Sequence, residues 1–131
     1  MNHDYYTDII TFDYCENGIV IANYLRSNPK VDRVFWCGFL DHPNHDIAKK
    51  QMRDFGGMLS FELKSDKLES AVRLMENVKV FSLAESLGGV ESLINHPASM
   101  THASIPKEER VKNGLSDTLI RLSVGVEDVE D

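Results

Sequence analysis

The sequence lacks any apolar run that approaches the roughly 20 residues needed to cross a bilayer. Basic residues are also few, with 14 Lys and Arg against 21 Asp and Glu, which gives a formal net charge of -7. A surface of this sign disfavours nucleic acid and anionic lipid, because binding to either requires clustered cations. We therefore expect neither nucleic acid nor a membrane as a partner.

Cysteine is scarce as well, since only Cys15 and Cys37 are present. Two cysteines do not form the disulfide framework of a small secreted domain, and the N-terminus has neither the basic start nor the apolar stretch of a signal peptide. We expect a cytoplasmic protein whose two thiols are small buried or half-buried side chains rather than nucleophiles.

The length of 131 residues suits one domain, residues 1–131, without an internal linker or repeat. Hydrophobic periodicity predicts strands at residues 31–37, 59–63, 78–83 and 118–126, and helices at residues 16–26 and 43–53. Asp66 and Glu69 have the spacing of a capping box at the start of a third helix, and Pro106 opens a short fourth helix that Gly114 ends. Residues 85–104 are predicted to be a loop. The pattern indicates an α+β fold: a small, mainly antiparallel sheet of about four strands with helices packed on one face.

The last predicted strand carries one arginine among small side chains. Because strand side chains alternate, Arg121, Ser123 and Gly125 point away from the core side, which holds Thr118, Ile120, Leu122, Val124 and Val126. A guanidinium matches a carboxylate in two parallel hydrogen bonds, so Arg121 beside small neighbours is a candidate anion receptor with space above it. The alternative is a solvated arginine on an open sheet face.

A diglycine, Gly88-Gly89, follows the third predicted strand. Glycines let backbone N–H groups approach an oxyanion closely, although without other evidence a simple turn is the better interpretation. The three-glycine spacing of a dinucleotide site is absent, and no lysine follows as in a phosphate-binding loop.

Two histidine-containing segments invite other interpretations. His42 and His45, flanked by Asp41 and Asp46, suggest a metal site, but the same residues suit a helix start after a proline, and we expect no metal. Residues 95–104 contain Ser and His without the strained turn of a nucleophilic serine. A loop stitched by side-chain hydrogen bonds is therefore the better interpretation.

Taken together, these segments resemble the C-terminal domain of the cystathionine γ-synthase, cystathionine γ-lyase and cystathionine β-lyase family, the Cys/Met metabolism PLP-dependent enzymes of fold type I. The strongest matches are Met-Thr-His-Ala-Ser at 100–104 and Ser-Asp-Thr-Leu-Ile-Arg-Leu-Ser-Val-Gly at 116–125. Further matching segments lie at residues 15–18, 28–31, 42–49, 56–61 and 84–93. The resemblance covers about residues 14–128 and leaves 1–13 as a divergent extension.

The resemblance implies a role for four residues. Arg121 corresponds to the arginine that binds the substrate α-carboxylate. Ser86, with the backbone around Leu87, lines the same pocket. Glu85 matches a position that helps to select among substrate side chains. The resemblance thus implies transsulfuration chemistry on a sulfur-containing amino acid, without distinguishing synthase from β-lyase or γ-lyase.

The resemblance also implies what this chain does not supply. In such enzymes pyridoxal phosphate (PLP) forms a Schiff base with a lysine in a Ser-x-Thr-Lys setting of the large domain, and no lysine here has that setting. We therefore expect no catalytic, cofactor-binding or metal-binding residue in this chain, no PLP on the chain alone, and no activity without the missing PLP-binding domain. Exposed apolar surface predicts self-association. The alternatives are a stand-alone amino-acid-binding or protein-interaction module, and an inactive remnant.

Overall fold

The computed structural model describes the backbone of residues 5–131 and the side chains of residues 12–131. The helices are α1 (Tyr5–Ser27), α2 (His45–Gln51), α3 (Leu68–Met75) and α4 (Lys107–Lys112). The strands are β1 (Val31–Phe35), β2 (Met58–Leu63), β3 (Ser82–Leu83), β4 (Leu93–Asn95) and β5 (Leu119–Ser123). Within the described residues, no helix combines the length and the apolar character that a membrane span requires.

The five strands form one open sheet in the order β1-β2-β5-β4-β3. The pairs β1/β2, β2/β5 and β5/β4 are antiparallel, and only β3/β4 is parallel. This architecture confirms the predicted α+β fold with a mainly antiparallel sheet. The sheet has five strands rather than about four, because β4 lies inside the segment predicted as loop.

One face of the sheet carries the hydrophobic core. Phe61, Ile94, Ile120 and Leu122 are all buried there, and Ala22 and Ala71 pack against them. Helices α1 and α3 thus lie on the same side, and a cavity of about 980 Å³ remains between them and the sheet. The predicted core residues of the last strand are buried from Thr118 to Val124, while Val126 is half-buried.

Helix α1 begins well before the predicted start at residue 16. The apolar spacing of Ile19, Ala22 and Leu25 predicts the helix from there on. Asn17 and Gly18, which are poor helix formers, lie at that predicted start. In the structure both serve tertiary contacts instead: Asn17 Nδ2 donates to the carbonyl oxygens of Gly125 and Glu127, at 3.1 and 2.7 Å. A Cβ atom on Gly18 would lie 2.5 Å from the Gly56 carbonyl oxygen, so glycine permits the helix to approach that loop.

The predicted capping box of α3 is wrong. Lys67 is the N-cap residue and makes no side-chain cap, whereas the hydroxyl of Ser65 accepts from the Lys67 N–H at 3.3 Å. Ser65 Oγ also bonds Ser70 Oγ at 2.7 Å, so a serine one position earlier than Asp66 organises this turn. Helix α2 likewise starts later than predicted, after Asn44.

Candidate functional site

The polar face of the sheet centres on Arg121. In the strand register Arg121 lies between Ser60 of β2 and Asn95 of β4. Its side chain is half-buried, and in the described part of the chain its guanidinium makes no ion pair. The Nη2 atom is buried without a hydrogen-bond partner. A cation on a rigid strand therefore keeps donors for an incoming acceptor.

The diglycine loop lies directly on the end of β5. The Gly88 N–H donates to Ser123 Oγ at 2.8 Å, and Gly88 has a φ of 76°, which favours glycine. The Gly125 N–H donates to Ser92 Oγ at 2.8 Å. A Cβ atom on Gly125 would lie 2.4 Å from the Val90 carbonyl oxygen. The small neighbours of Arg121 thus accommodate this loop, which corrects the interpretation that they leave space for a ligand.

The remaining predicted site residues lie between two fixed points of the same loop. The Ala84 N–H donates to the Ile94 carbonyl oxygen at 3.1 Å on one side, and Gly88 is held by Ser123 on the other. Glu85, Ser86 and Leu87 between them are exposed to solvent. The structure therefore anchors this segment to β4 and β5, the strands that hold Asn95 and Arg121, but no hydrogen bond joins it to Arg121.

Tyr14 of α1 places its phenol in the same region. The sequence analysis did not identify this residue. A Cβ atom on Gly57 would meet the Tyr14 ring at 2.9 Å, so the ring packs closely on that glycine. Burial raises the pKa of Tyr14, and electrostatic repulsion from Cys15 raises it further. Hydrogen bonds with the Gly57 backbone and with Ser123 lower the pKa, but by less. The phenol therefore remains neutral and able to donate at physiological pH.

Asn95 is the second residue that sequence analysis missed. Its side chain is 1% exposed, and its Nδ2 faces two acceptors, the Ala84 carbonyl oxygen at 3.4 Å and Met100 Sδ at 3.6 Å. The Oδ1 atom is buried without a partner. No periodic signal marks this residue, since its place beside Arg121 depends on strand pairing.

Side-chain hydrogen bonds hold the loop after β4, as predicted. His96 is fully buried, its Nε2 donates to the Asp117 carbonyl oxygen at 2.9 Å, and its Nδ1 contacts Ser99 Oγ at 2.7 Å. Both ring nitrogens are therefore used in structural contacts. The Asp117 carboxylate pairs with Lys107 and with Arg110, and these two cations hold its pKa below the usual range.

His42 and His45 also serve local structure. His45 Nδ1 donates to the Cys37 carbonyl oxygen at 2.9 Å, its ring stacks on Phe55, and His42 Nδ1 accepts from the Asn44 N–H at 3.2 Å. In the region with described side chains, no three His, Cys, Asp or Glu residues are grouped to hold a metal ion. Cys15 is buried and Cys37 half-buried, as predicted, and burial raises the pKa of the Cys37 thiol away from a reactive thiolate.

Comparison with solved structures identifies the class of fold. Two crystal structures of cystathionine γ-synthase from Xanthomonas oryzae pv. oryzae match 94% of this chain with TM-scores of 0.85 and 0.84 and 47% sequence identity. One is in complex with aminoacrylate and cysteine, the other with cystathionine. The chain covers 32% of each.

The family model described as Cys/Met metabolism PLP-dependent enzyme matches residues 13–131, and the chain belongs to this family. It is 58% identical over 118 residues to cystathionine β-lyase of Coxiella burnetii and 54% identical over 116 residues to cystathionine γ-lyase of Dictyostelium discoideum. These alignments cover 90% and 88% of this chain but 30% of each relative. The chain therefore spans about a third of the length of the curated relatives that it matches.

None of the lysines in the described part of the chain has the buried setting of a Schiff-base lysine. A Schiff-base lysine is usually desolvated or paired in a pocket, because its amine must be neutral to react. All eight lysines of this sequence lie within the described part, and each is exposed to solvent. The polar face around Arg121 offers hydrogen-bond donors, among them the buried Nη2 atom, and no lysine lies in the β-strands of that face.

Proposed function

We propose that this chain is the C-terminal domain of a PLP-dependent transsulfuration enzyme, of the cystathionine γ-synthase or β/γ-lyase type, and that it binds the substrate α-carboxylate. The observation that carries this proposal is the half-buried Arg121, whose guanidinium has no ion-pair partner in the described part of the chain although the protein has a net charge of -7. Where acidic side chains are abundant, an arginine that remains unpaired is available to an external acid.

The loop supplies the rest of the pocket in this proposal. Ser86 and the backbone around Leu87 contact the same carboxylate, and Glu85 faces the substrate side chain and helps to select it. The anchoring of Gly88 to Ser123 at 2.8 Å supports these roles, because it restrains the exposed segment that carries them. A restrained loop loses less conformational entropy when a ligand binds.

The proposed contribution to catalysis is orientation. Holding the carboxylate fixes the substrate relative to the reacting group, which lowers the barrier through positioning rather than bond breaking. In this proposal a separate large domain would hold PLP, which would supply an electron sink for cleavage or exchange at the β- or γ-carbon. The isolated chain therefore has no such activity, and its partners are that domain and a sulfur-containing amino acid in the cytoplasm.

A single assay tests the proposed inactivity. The pure chain is mixed with PLP and cystathionine, and thiol and oxoacid release are followed together with the absorbance of the cofactor. We expect no turnover, since every lysine is exposed. Sustained turnover by the chain alone would contradict the proposal that catalysis requires a second, PLP-binding domain.

Calorimetry tests the carboxylate site itself. Cystathionine is titrated into the wild-type chain, Arg121→Ala, Arg121→Lys and the matched control Arg73→Ala, which removes an exposed arginine on α3. Hydrogen bonds to a charged group contribute about 1.5–3 kcal/mol, so we expect the affinity to fall at least about tenfold in Arg121→Ala, with partial retention in Arg121→Lys. Equal heats for the wild type and Arg121→Ala would refute the site.

The unpaired Arg121 is equally compatible with a stand-alone amino-acid-binding module, and the same titration separates the two functions. A module evolved to act alone binds its amino acid tightly and selectively without PLP. A domain that completes an enzyme binds weakly, because the other half of the pocket belongs to the missing domain.

A further inference from the structure

Two buried polar atoms of opposite character lie on neighbouring residues of the polar face. Asn95 and Arg121 are Cα partners in the β4/β5 ladder, so their side chains leave the same face of the sheet. Asn95 Oδ1 is an acceptor without a partner, and Arg121 Nη2 is a donor without a partner. A buried polar group without a hydrogen-bond partner destabilises the folded state, so an unused acceptor on the residue paired with an unused donor requires an explanation.

The orientation of the Asn95 amide follows from its surroundings. Its Nδ2 points at the Ala84 carbonyl oxygen and at Met100 Sδ, both of which accept hydrogen bonds. Rotating the amide by half a turn would place Oδ1 against these acceptors. The Asn95 Oδ1 atom therefore points away from Ala84. Since Asn95 is 1% exposed, solvent does not donate a hydrogen bond to this oxygen.

Building on the proposed function, we infer that Asn95 is a positioning residue for the carboxylate site. Its Oδ1 accepts a hydrogen bond from Arg121 Nη2 when the guanidinium binds a ligand. This hydrogen bond fixes the orientation of the guanidinium plane. Its Nδ2 holds Ala84, the residue immediately before the 85–87 segment. One amide thus couples the arginine to the loop that completes the pocket.

The neutrality of Asn95 matters for this role. An aspartate at this position has nearly the same shape but a negative charge, and it would form an ion pair with Arg121 that competes with the ligand carboxylate. It would also remove the donor to Ala84. We expect cystathionine affinity to fall about tenfold in Asn95→Ala and further in Asn95→Asp.

Side-chain nitrogen NMR of the 131-residue chain tests the inference without relying on activity. The Arg121 guanidinium signals are assigned with Arg121→Lys, and rotation about its terminal C–N bonds is measured with cystathionine added to saturation. In the wild type we expect slow rotation at Nη2, faster rotation in Asn95→Ala, and a displaced signal in Asn95→Asp. Asn77→Ala is the matched control, because Asn77 Nδ2 donates only to the Arg73 carbonyl oxygen on the surface.

The outcomes separate this inference from the proposed function. If the wild type binds no cystathionine, the proposed function fails and the positioning role of Asn95 fails with it. Unchanged Arg121 signals in both folded Asn95 variants overturn the coupling even where binding persists. Should both variants fail to fold, fast rotation of Nη2 in the wild type overturns it as well.

Discussion

At the scale of single residues, Glu127 shows how one carboxylate fixes the loop of the candidate site. Its two oxygens accept from the Ser92 N–H at 2.7 Å and from Ser92 Oγ at 2.8 Å. Burial raises the pKa of Glu127, but hydrogen bonds from the Ser92 backbone, its own backbone and the Ser92 hydroxyl outweigh burial and hold the pKa below 4.5. The ionised form is therefore the one that the fold prefers.

The pH dependence of stability should reveal this preference. Since the folded pKa lies below the unfolded one, the stabilisation is complete above about pH 4.5 and is lost as the pH falls through the folded value. Glu127→Gln should lower the free energy of unfolding at neutral pH by about 1 kcal/mol, discounted for partial exposure. Urea unfolding at neutral and acidic pH measures the difference. Glu130→Gln, at an exposed position nearby, is the control, and a deficit that persists unchanged in acid would contradict the assignment.

At the scale of elements, the contact of α1 with the loop before β2 depends on Gly18. In an ordinary helix interior, glycine to alanine stabilises by about 1 kcal/mol. Here the new methyl would lie 2.5 Å from the Gly56 carbonyl oxygen and 2.8 Å from Gly57 Cα, and neither is a flexible side-chain end. The clash therefore outweighs the helix propensity.

Gly18→Ala should accordingly destabilise the protein by about 1–3 kcal/mol, as overpacking does in other cores. The control variant Glu16→Ala, at an exposed position of α1, should be neutral or slightly stabilising, because alanine has the higher helix propensity. Thermal unfolding followed by circular dichroism compares the two variants. A Gly18→Ala protein at least as stable as the wild type would show that α1 is free to shift.

The elements also show how much could be predicted from the sequence. Strands β2 and β5 have one buried face, so alternation marks them, and the same alternation places Arg121 opposite the core. Strand β4 is buried on both faces and three residues long, which leaves no period to detect. The position of Asn95 beside Arg121 depends on long-range pairing, and a sequence read locally carries no information on register. The α+β class and the arginine were therefore predictable, whereas the loop anchored to β5 was not.

At the scale of the whole molecule, apolar surface remains along α1. Phe12, Ile19, Val20 and Tyr24 are 57%, 41%, 47% and 62% exposed, and their spacing places them along a helix. The exposed polar residues Glu16 and Asn23 lie among these four side chains, which together are called the stripe. Exposed apolar side chains on one helix offer a surface for contact with another protein segment. We expect the chain to associate with itself through this stripe, and the PLP-binding domain of the proposed enzyme to cover it.

The experiment must separate association through this stripe from non-specific association through other exposed apolar side chains. The double variant Val20→Glu/Tyr24→Glu adds two negative charges to the stripe, and Leu40→Glu/Val111→Glu adds the same charge at apolar positions that are 87% and 53% exposed elsewhere. Both variants change the net charge from -7 to -9, so long-range repulsion is matched. Light scattering across a wide concentration range should show dimers or larger species for the wild type and the control, and monomers for the stripe variant, because desolvating the new carboxylates opposes burial of α1. A wild-type chain that stays monomeric throughout would contradict the association. Equal dissociation of both variants would show that the added charge alone disrupts it, and a stripe variant that stays associated would locate it outside α1.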